Sequence, residues 1–243
     1  MMKFVGVDGC PKGWFAVAIQ SNSTWSVEVF PAIADLWAKH QDAALILIDI
    51  PIGLPFATAR RCDVEARKIL KRRGSSVFPA PARETLRATS YEAACRINQQ
   101  VLGKKISVQT WLISQKIREV DALLIHDQKA RQLIRESHPE ICFWALAGGH
   151  LIAASKKTEA GLSQRLMLLQ HHCPAAASLF ESSRSRFPRQ QLALDDIVDA
   201  MALAITAGTG IEHLQTIPSV AEEDREQLPM AIVYTNRYLS ISG

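Results

Sequence analysis

The chain has 243 residues, 48% of them hydrophobic and 21% charged. That balance excludes a low-complexity or disordered polypeptide and leaves enough apolar material for a substantial core. A net charge of +4 is compatible with a polyanionic partner but too small to identify one. The five cysteines, Cys10, Cys62, Cys95, Cys142 and Cys173, are scattered without a C-x-x-C pair, which argues against a zinc ribbon and a disulfide framework and for a reducing compartment. No stretch approaches the ~18 apolar residues of a membrane span, and Met1-Met2-Lys3 opens no signal-peptide pattern. The expected location is cytoplasmic, without membrane contact.

The first strand is expected over residues 3–8, where Phe4-Val5-Gly6-Val7 runs without a polar side chain and ends on Asp8. Such a run bounded by turn residues reads as a strand buried on both faces. A turn around Asp8–Gly13 leads to a second strand at Trp14–Ile19, and Asn22-Ser23 turns into a third at Trp25–Phe30, an antiparallel meander. Pro31 opens a helix to about His40 with Ile33, Leu36 and Trp37 on one face. Ala44–Asp49 repeats the first pattern, four apolar residues closing on Asp49. From about 53 to 131 the pattern becomes a helical insertion: a charged helix over 60–72, a loop at 74–82 exposing Val77-Phe78, and helices near 90–101 and 109–125. Leu133–Ser137 reads as a fifth strand, Pro139 as the start of a short helix stopped by Gly148-Gly149, and 162–170 as a helix. The stretch 174–194 gives no decisive pattern. Asp195–Ala207 is a buried helix, and Met230–Tyr234 a late strand. No linker-like stretch brackets the insertion, so residues 1–243 are expected to form a single domain.

The carboxylates carry the chemistry. If strands one and four are parallel neighbours, about 4.8 Å apart, Asp8 and Asp49 emerge side by side at the carboxyl edge of the sheet, where open α/β sheets place their ligands. Burying them requires a partner or an ion. Asp195 and Asp196 suit a helix first turn as caps. Asp199 opens the apolar run and must face protein, and Asp196 and Asp199 share a helix face. Glu136 and Glu140 flank His138-Pro139. The bland alternatives are a hairpin turn for Asp8, local hydrogen bonding for Asp49, and strand-end or helix-start solvation for the glutamates. Convergent carboxylates without a histidine or cysteine cluster favour Mg²⁺ or Mn²⁺, and two such ions support phosphodiester hydrolysis.

The β-β-β-α-β order with aspartates ending strands one and four resembles the ribonuclease H-like fold, and Asp196-x-x-Asp199-Ala200 resembles the final helix of its Holliday-junction resolvase branch. A closer resemblance is to the domain of unknown function 429 family, described as predicted nucleases of that fold. The strings that carry it are Gly6–Trp14, Ile48–Pro55, Cys62–Arg67, Gly74–Phe78, Lys116–Asp121, Glu136–Glu140, Ser155–Thr158 and Asp195–Ala200. The resemblance implies an α/β protein with a mixed five-stranded sheet, flanking helices and a helical insertion, and carries Asp8, Asp49 and Asp199 over to the fold's metal positions. Where ribonuclease H proper has a glutamate the first helix offers only Asp35, and Glu140 is the replacement considered.

The resulting expectation is a divalent-metal-dependent nuclease or phosphodiesterase. Asp8, Asp49, Glu140, Asp196 and Asp199 are its metal ligands, and Lys156 or Lys157 faces the phosphate. The partner is a nucleic acid or a small phosphodiester, and a homodimer follows only if a duplex is cut. The rival is a non-catalytic binding or regulatory protein using the same cleft for a nucleotide or acidic metabolite; an actin-like phosphotransferase would need a second such domain. Among lesser signals, Arg165 is a phosphate contact candidate, and Arg60, Arg61, Arg67, Lys71, Arg72, Arg73 and Arg83 with Phe78 form a basic edge for nucleic acid, with a solvated helix face as the alternative.

Overall fold

A strand that reads Phe4-Val5-Gly6-Val7 has no face it can leave in water, and the sheet built around it is covered accordingly. The computed structural model describes residues 2–21 and 24–236. In chain order the elements are β1 (Lys3–Cys10), β2 (Gly13–Gln20), β3 (Trp25–Phe30), α1 (Ile33–His40), β4 (Leu45–Ile48), α2 (Arg61–Leu70), α3 (Tyr91–Leu102) and α4 (Val108–His126). They continue with α5 (Gln128–Leu133), β5 (Ile134–Glu136), α6 (Pro139–Leu146), α7 (Glu159–His172), α8 (Ala176–Arg186), α9 (Leu194–Ala207), β6 (Gln215–Glu223) and β7 (Pro229–Tyr234). These group into two compact units. One comprises the residues up to Asp49, Gln132–Gln215 and the chain from Val233; the other comprises Ile50–Arg131 and Thr216–Ile232.

The first unit holds a five-stranded sheet in the order β3-β2-β1-β4-β5. The β1–β2 and β2–β3 pairs are antiparallel, and β1–β4 and β4–β5 are parallel. This is a mixed α/β sheet with flanking helices, consistent with the ribonuclease H-like fold. Because side chains alternate along a strand, Phe4, Gly6 and Asp8 share one face of β1, and α9 crosses that face. Gly6 is what lets it: a Cβ there would lie 2.2 Å from the Ala200 carbonyl oxygen and 2.2 Å from the Ala204 nitrogen. From Ile197 to Ala207 every residue of α9 is buried. Over it pack Phe143 and Leu146 of α6, Leu169 of α7, and Leu179 and Phe180 of α8 in one apolar cluster, each such side chain contributing roughly 1.5–3 kcal/mol. On α1, Ile33, Leu36, Trp37 and His40 are buried.

Several local expectations change. Asp8-Gly9 is not the hairpin turn: β1 continues to Cys10, which pairs with Gly13 across the two-residue loop Pro11-Lys12. Gly13 takes φ +125° there, with the Phe30 carbonyl only 2.1 Å from where a Cβ would stand. The turn assigned to Asn22-Ser23 lies outside the described residues. The undecided stretch 174–194 contains α8, whose buried Ala176, Leu179, Phe180 and Ser183 recur at helical spacing. β6 and α5 are additional elements, and β7 pairs with β6 in a separate two-stranded sheet.

In the second unit, Arg60 and Arg83 are anchors. Arg60 is 2% exposed and binds Asp63 at 2.5 Å and the Ile52 carbonyl at 2.9 Å. Arg83 bridges Asp121 at 2.8 Å and Asp224 at 2.5 Å, while Asp224 also accepts from the Leu54, Glu226 and Leu228 N–H groups. Both arginines, counted in the basic edge, are thus engaged by carboxylates, Arg60 buried and Arg83 with 22% of its side chain exposed. Val77 is buried at 3% exposure, with only Phe78 reaching solvent. The five cysteines are buried and unbridged. Among the described residues no helix is long and apolar enough to cross a membrane.

Candidate functional site

Four backbone segments of the first unit bring their polar residues together. Val7 of β1 pairs with Ile48 of β4, and the Asp49 N–H donates to the Val7 carbonyl at 3.0 Å. Asp8 and Asp49 therefore leave adjacent parallel strands on the same face, about 4.8 Å apart in strand spacing. That is the face α9 covers. Gly6 seats α9 at Ala200, so the turn before it, bearing Asp196 and Asp199, stands beside Asp8 two residues further along β1.

The fourth segment joins α6 to α7. Gly161 admits it: a Cβ there would be 1.9 Å from the Ser155 carbonyl oxygen. Thr158 caps α7, accepting from the Gly161 N–H at 3.1 Å and donating to the Ser155 carbonyl at 2.8 Å. Held this way, Lys156 turns inward while Lys157 stays exposed. The Lys156 ammonium lies 2.6 Å from Asp199 Oδ2 and 3.7 Å from Asp195 Oδ2. Asp199 is 1% exposed, and its other oxygen, Oδ1, is buried without a hydrogen-bond partner.

Electrostatics follow from this crowding. Burial, then the Asp49, Asp199 and Asp196 carboxylates, pushes Asp8 well above the usual carboxylate range, and Lys156 offsets only part of it. Burial raises Asp49 against the opposing influence of His138 and Lys156. Burial lifts Asp199 to about 6 even though Lys156 attracts and bonds it, with Asp49 and Glu140 adding to the rise. Asp196 also reaches about 6, chiefly through burial, although its Oδ2 accepts from the Ala193 N–H at 3.1 Å. Burial works to lower Lys156, but Asp199, Asp8 and Asp195 outweigh it and raise the ammonium's pKa.

These shifts carry a pH dependence. A carboxyl whose folded pKa exceeds its unfolded value binds extra protons in the native state, so its contribution to stability falls as pH rises through that window. For Asp196 and Asp199 the window runs from 3.8 to about 6. Buried His40, lowered to about 4 mainly by burial, acts in the opposite sense, so the comparison needed is with a variant. In chelator, the wild-type Tm is expected to gain on Asp199→Asn as the pH is lowered from 7 to 5. Parallel Tm profiles for the two proteins would refute the shift.

The other sequence candidates divide. Glu140, in the first turn of α6, is buried, and its Oε1 accepts from Arg165 at 2.5 Å. It is close enough to Asp199 to raise it. Arg165 is fully buried, bonded to the Ala154 and Gly161 carbonyls and set over the Phe143 ring. It is therefore a brace for Glu140 and not an exposed phosphate contact. Glu136 pairs with Ile48 in register, which puts its side chain on the opposite face from Asp49. Asp35 is exposed on α1. His138 caps α6, its Nδ1 accepting from the Glu140 N–H at 3.2 Å.

A family model described as protein of unknown function (DUF429) matches residues 6–223. The chain belongs to the DUF429 family. No curated protein and no solved structure matches it significantly. The matched span contains Asp8, Asp49, Glu140, Lys156, Asp196 and Asp199, so the whole cluster lies within the DUF429 region. As a donor set it consists of hard oxygens, with one buried carboxylate oxygen, Asp199 Oδ1, left unsatisfied. In this DUF429 protein sequence reasoning overlooked two neighbours. Asp195, read only as a cap, approaches Lys156, which its position beside Asp196 could have suggested. Cys142 sits with Sγ 3.2 Å from Ser137 Oγ, its thiol pushed up to about 11 by burial; nothing in its spacing marked it.

Proposed function

We propose that this DUF429 protein is a divalent-metal-dependent phosphodiesterase or nuclease acting through Asp8, Asp49 and Asp199. The observation that carries the reading is the buried, unpartnered Oδ1 of Asp199 amid carboxylates that raise one another's pKa. Natural structures rarely leave such an atom unsatisfied, and an absent ion is a standard reason. Mg²⁺ or Mn²⁺ held there would supply charge stabilisation for a phosphoryl displacement and acidify a water nucleophile. Asp8 and Asp49 would hold the ion from the strand ends, and Asp199 from the helix. Asp196 and Glu140 already commit one oxygen each, to Ala193 N–H and to Arg165, and are assigned outer positions that orient the set. Lys156 neutralises excess negative charge and, once released from Asp199, offers its ammonium to a substrate phosphate. The substrate class is a phosphodiester, nucleic acid or small molecule.

A second reading has one observation in its favour. The Lys156–Asp199 bond lets the cluster persist without a metal, as a non-catalytic site for a nucleotide or acidic metabolite would allow. Calorimetric titration of Mn²⁺ and Mg²⁺ into the wild type and Asp8→Asn, followed by assay on duplex, branched and single-stranded nucleic acids, separates the two. Metal binding in the wild type, lost together with cleavage in Asp8→Asn, is the expected result. A wild type that binds neither ion, with or without nucleic acid, would overturn the nuclease reading in favour of the second.

A further inference from the structure

The second unit contains a cavity of about 540 Å³ between α2, the α3–α4 connection and the Ala57–Ala59 and Pro79-Ala80 segments. Its size falls within the range of small-molecule sites. Its lining includes the apolar Val64, Pro79, Leu102 and Ile106 and the cationic Arg67, Lys104 and Lys105. No carboxylate pairs with any of these three cations among the described residues. The acidic group in the lining, Asp63, is 2% exposed and already taken by Arg60 and the Ala80 N–H.

The lysines stand on a braced loop. Gly103 ends α3 at φ +71°, a conformation that favours glycine. The buried Asn98 side chain donates to the Lys104 carbonyl at 2.8 Å and accepts from the Ala82 N–H at 2.8 Å. Ile106 is buried beneath, and Ser107 caps α4 by accepting from the Thr110 N–H at 3.0 Å. Arg67 is fixed by donating to the Val77 carbonyl at 2.7 Å. The amino end of the 19-residue α4 adds positive potential on the same side. Three cations without carboxylate partners, interleaved with aliphatic side chains of the same two segments in one cavity lining, are complementary to a dianionic head on an apolar body.

The geometry points to this cavity as a binding site for a small phosphorylated molecule with an apolar body. Lys104 and Lys105 supply the phosphate contacts, Arg67 a third charge, and Val64, Leu102 and Ile106 the apolar seat.

The test is an NMR titration in chelator with 1-naphthylmethylphosphonate, which cannot be hydrolysed, alongside inorganic phosphate. The double variant Lys104→Glu/Lys105→Glu alters two exposed side chains. Saturable shifts at the Val64, Leu102 and Ile106 amides are expected, with inorganic phosphate weaker at the same amides and the double variant at least tenfold weaker for the phosphonate. Shifts confined to other regions, or equal affinity in the double variant, would overturn the proposal. Binding of a short single-stranded oligonucleotide where the phosphonate does not bind would also overturn it and reassign the surface to nucleic acid.

Discussion

Replacing Lys156 by methionine is expected to destabilise the protein strongly in chelator and much less in Mg²⁺ or Mn²⁺. The ammonium is the cation that Asp199 holds at 2.6 Å, and Asp199 is almost wholly buried. Removing one member of a buried pair costs about 3–5 kcal/mol, because the survivor is left charged without compensation. Lys156 keeps about a third of its side chain in water, 34%, so roughly 2–3 kcal/mol is the better figure after allowing for screening. For a chain of this length that corresponds to a fall in Tm of roughly 5–10 °C. Asp199 can limit the loss by taking a proton, so the deficit shrinks as pH falls toward 5. A divalent ion at the carboxylates would do the same at pH 7. The metal-induced rise in Tm should therefore be larger in Lys156→Met than in wild type, since the ion no longer competes with a resident ammonium. Equal rises in the two proteins would mean that Lys156 and the ion do not share the same carboxylates. No rise in either would count against the metal site itself.

How much of this was legible beforehand depends on how local each signal is. β1, β2 and β4 announce themselves through uninterrupted apolar runs, β3 through alternation, and α1 and α9 through a sustained helical face; Asp8 and Asp49 follow the runs of β1 and β4, and the α9 aspartates stand at its start. The site's core was readable because strand ends and a helix start are placed by fold order alone. Lys156 was not separable from Lys157, because the choice is made by Gly161 admitting the Ser155 carbonyl, a contact with no signature in composition. Arg165 misled for a related reason. An arginine on a helix is normally solvated, and only the tertiary pairing with Glu140 buries it. The pairing of Arg60 and Arg83 with Asp63, Asp121 and Asp224 was hidden for the same reason, the last of these partners being 141 residues from Arg83 in sequence. β6 escaped because much of it is exposed and it carries Pro218, leaving little apolar alternation to detect. The helix α8 was detectable: Ala176, Leu179, Phe180 and Ser183 keep helical spacing beneath an Ala-, Ser- and Arg-rich surface.

Gly6→Ala is expected to damage the first unit strongly, and the carboxylate site with it. The added Cβ would meet not a side-chain tip but the backbone of α9, at 2.2 Å from both the Ala200 oxygen and the Ala204 nitrogen. Carbon normally sits about 3.5–4.0 Å from its neighbours. The helix would have to retreat by more than about 1 Å along its contact with β1, and tightly packed interiors resist such shifts. Overpacking usually costs about 1–3 kcal/mol; because the obstacle here is backbone on both sides, about 3 kcal/mol or more is expected. The displacement has a second effect that a loss of stability alone does not produce. Asp196 and Asp199 travel with α9 while Asp8 and Asp49 stay with the sheet, so the carboxylates separate. The variant should therefore lose divalent-ion affinity even under conditions where it remains folded. A core change of similar severity at the far end of the helix, such as Ile205→Ala, should lower Tm while leaving affinity close to wild type. Thermal melts and metal calorimetry on the two variants check this. Equal affinity in Gly6→Ala and Ile205→Ala would show that the close approach of β1 and α9 serves packing alone, and the carboxylate geometry would then depend on something other than the absent side chain at Gly6.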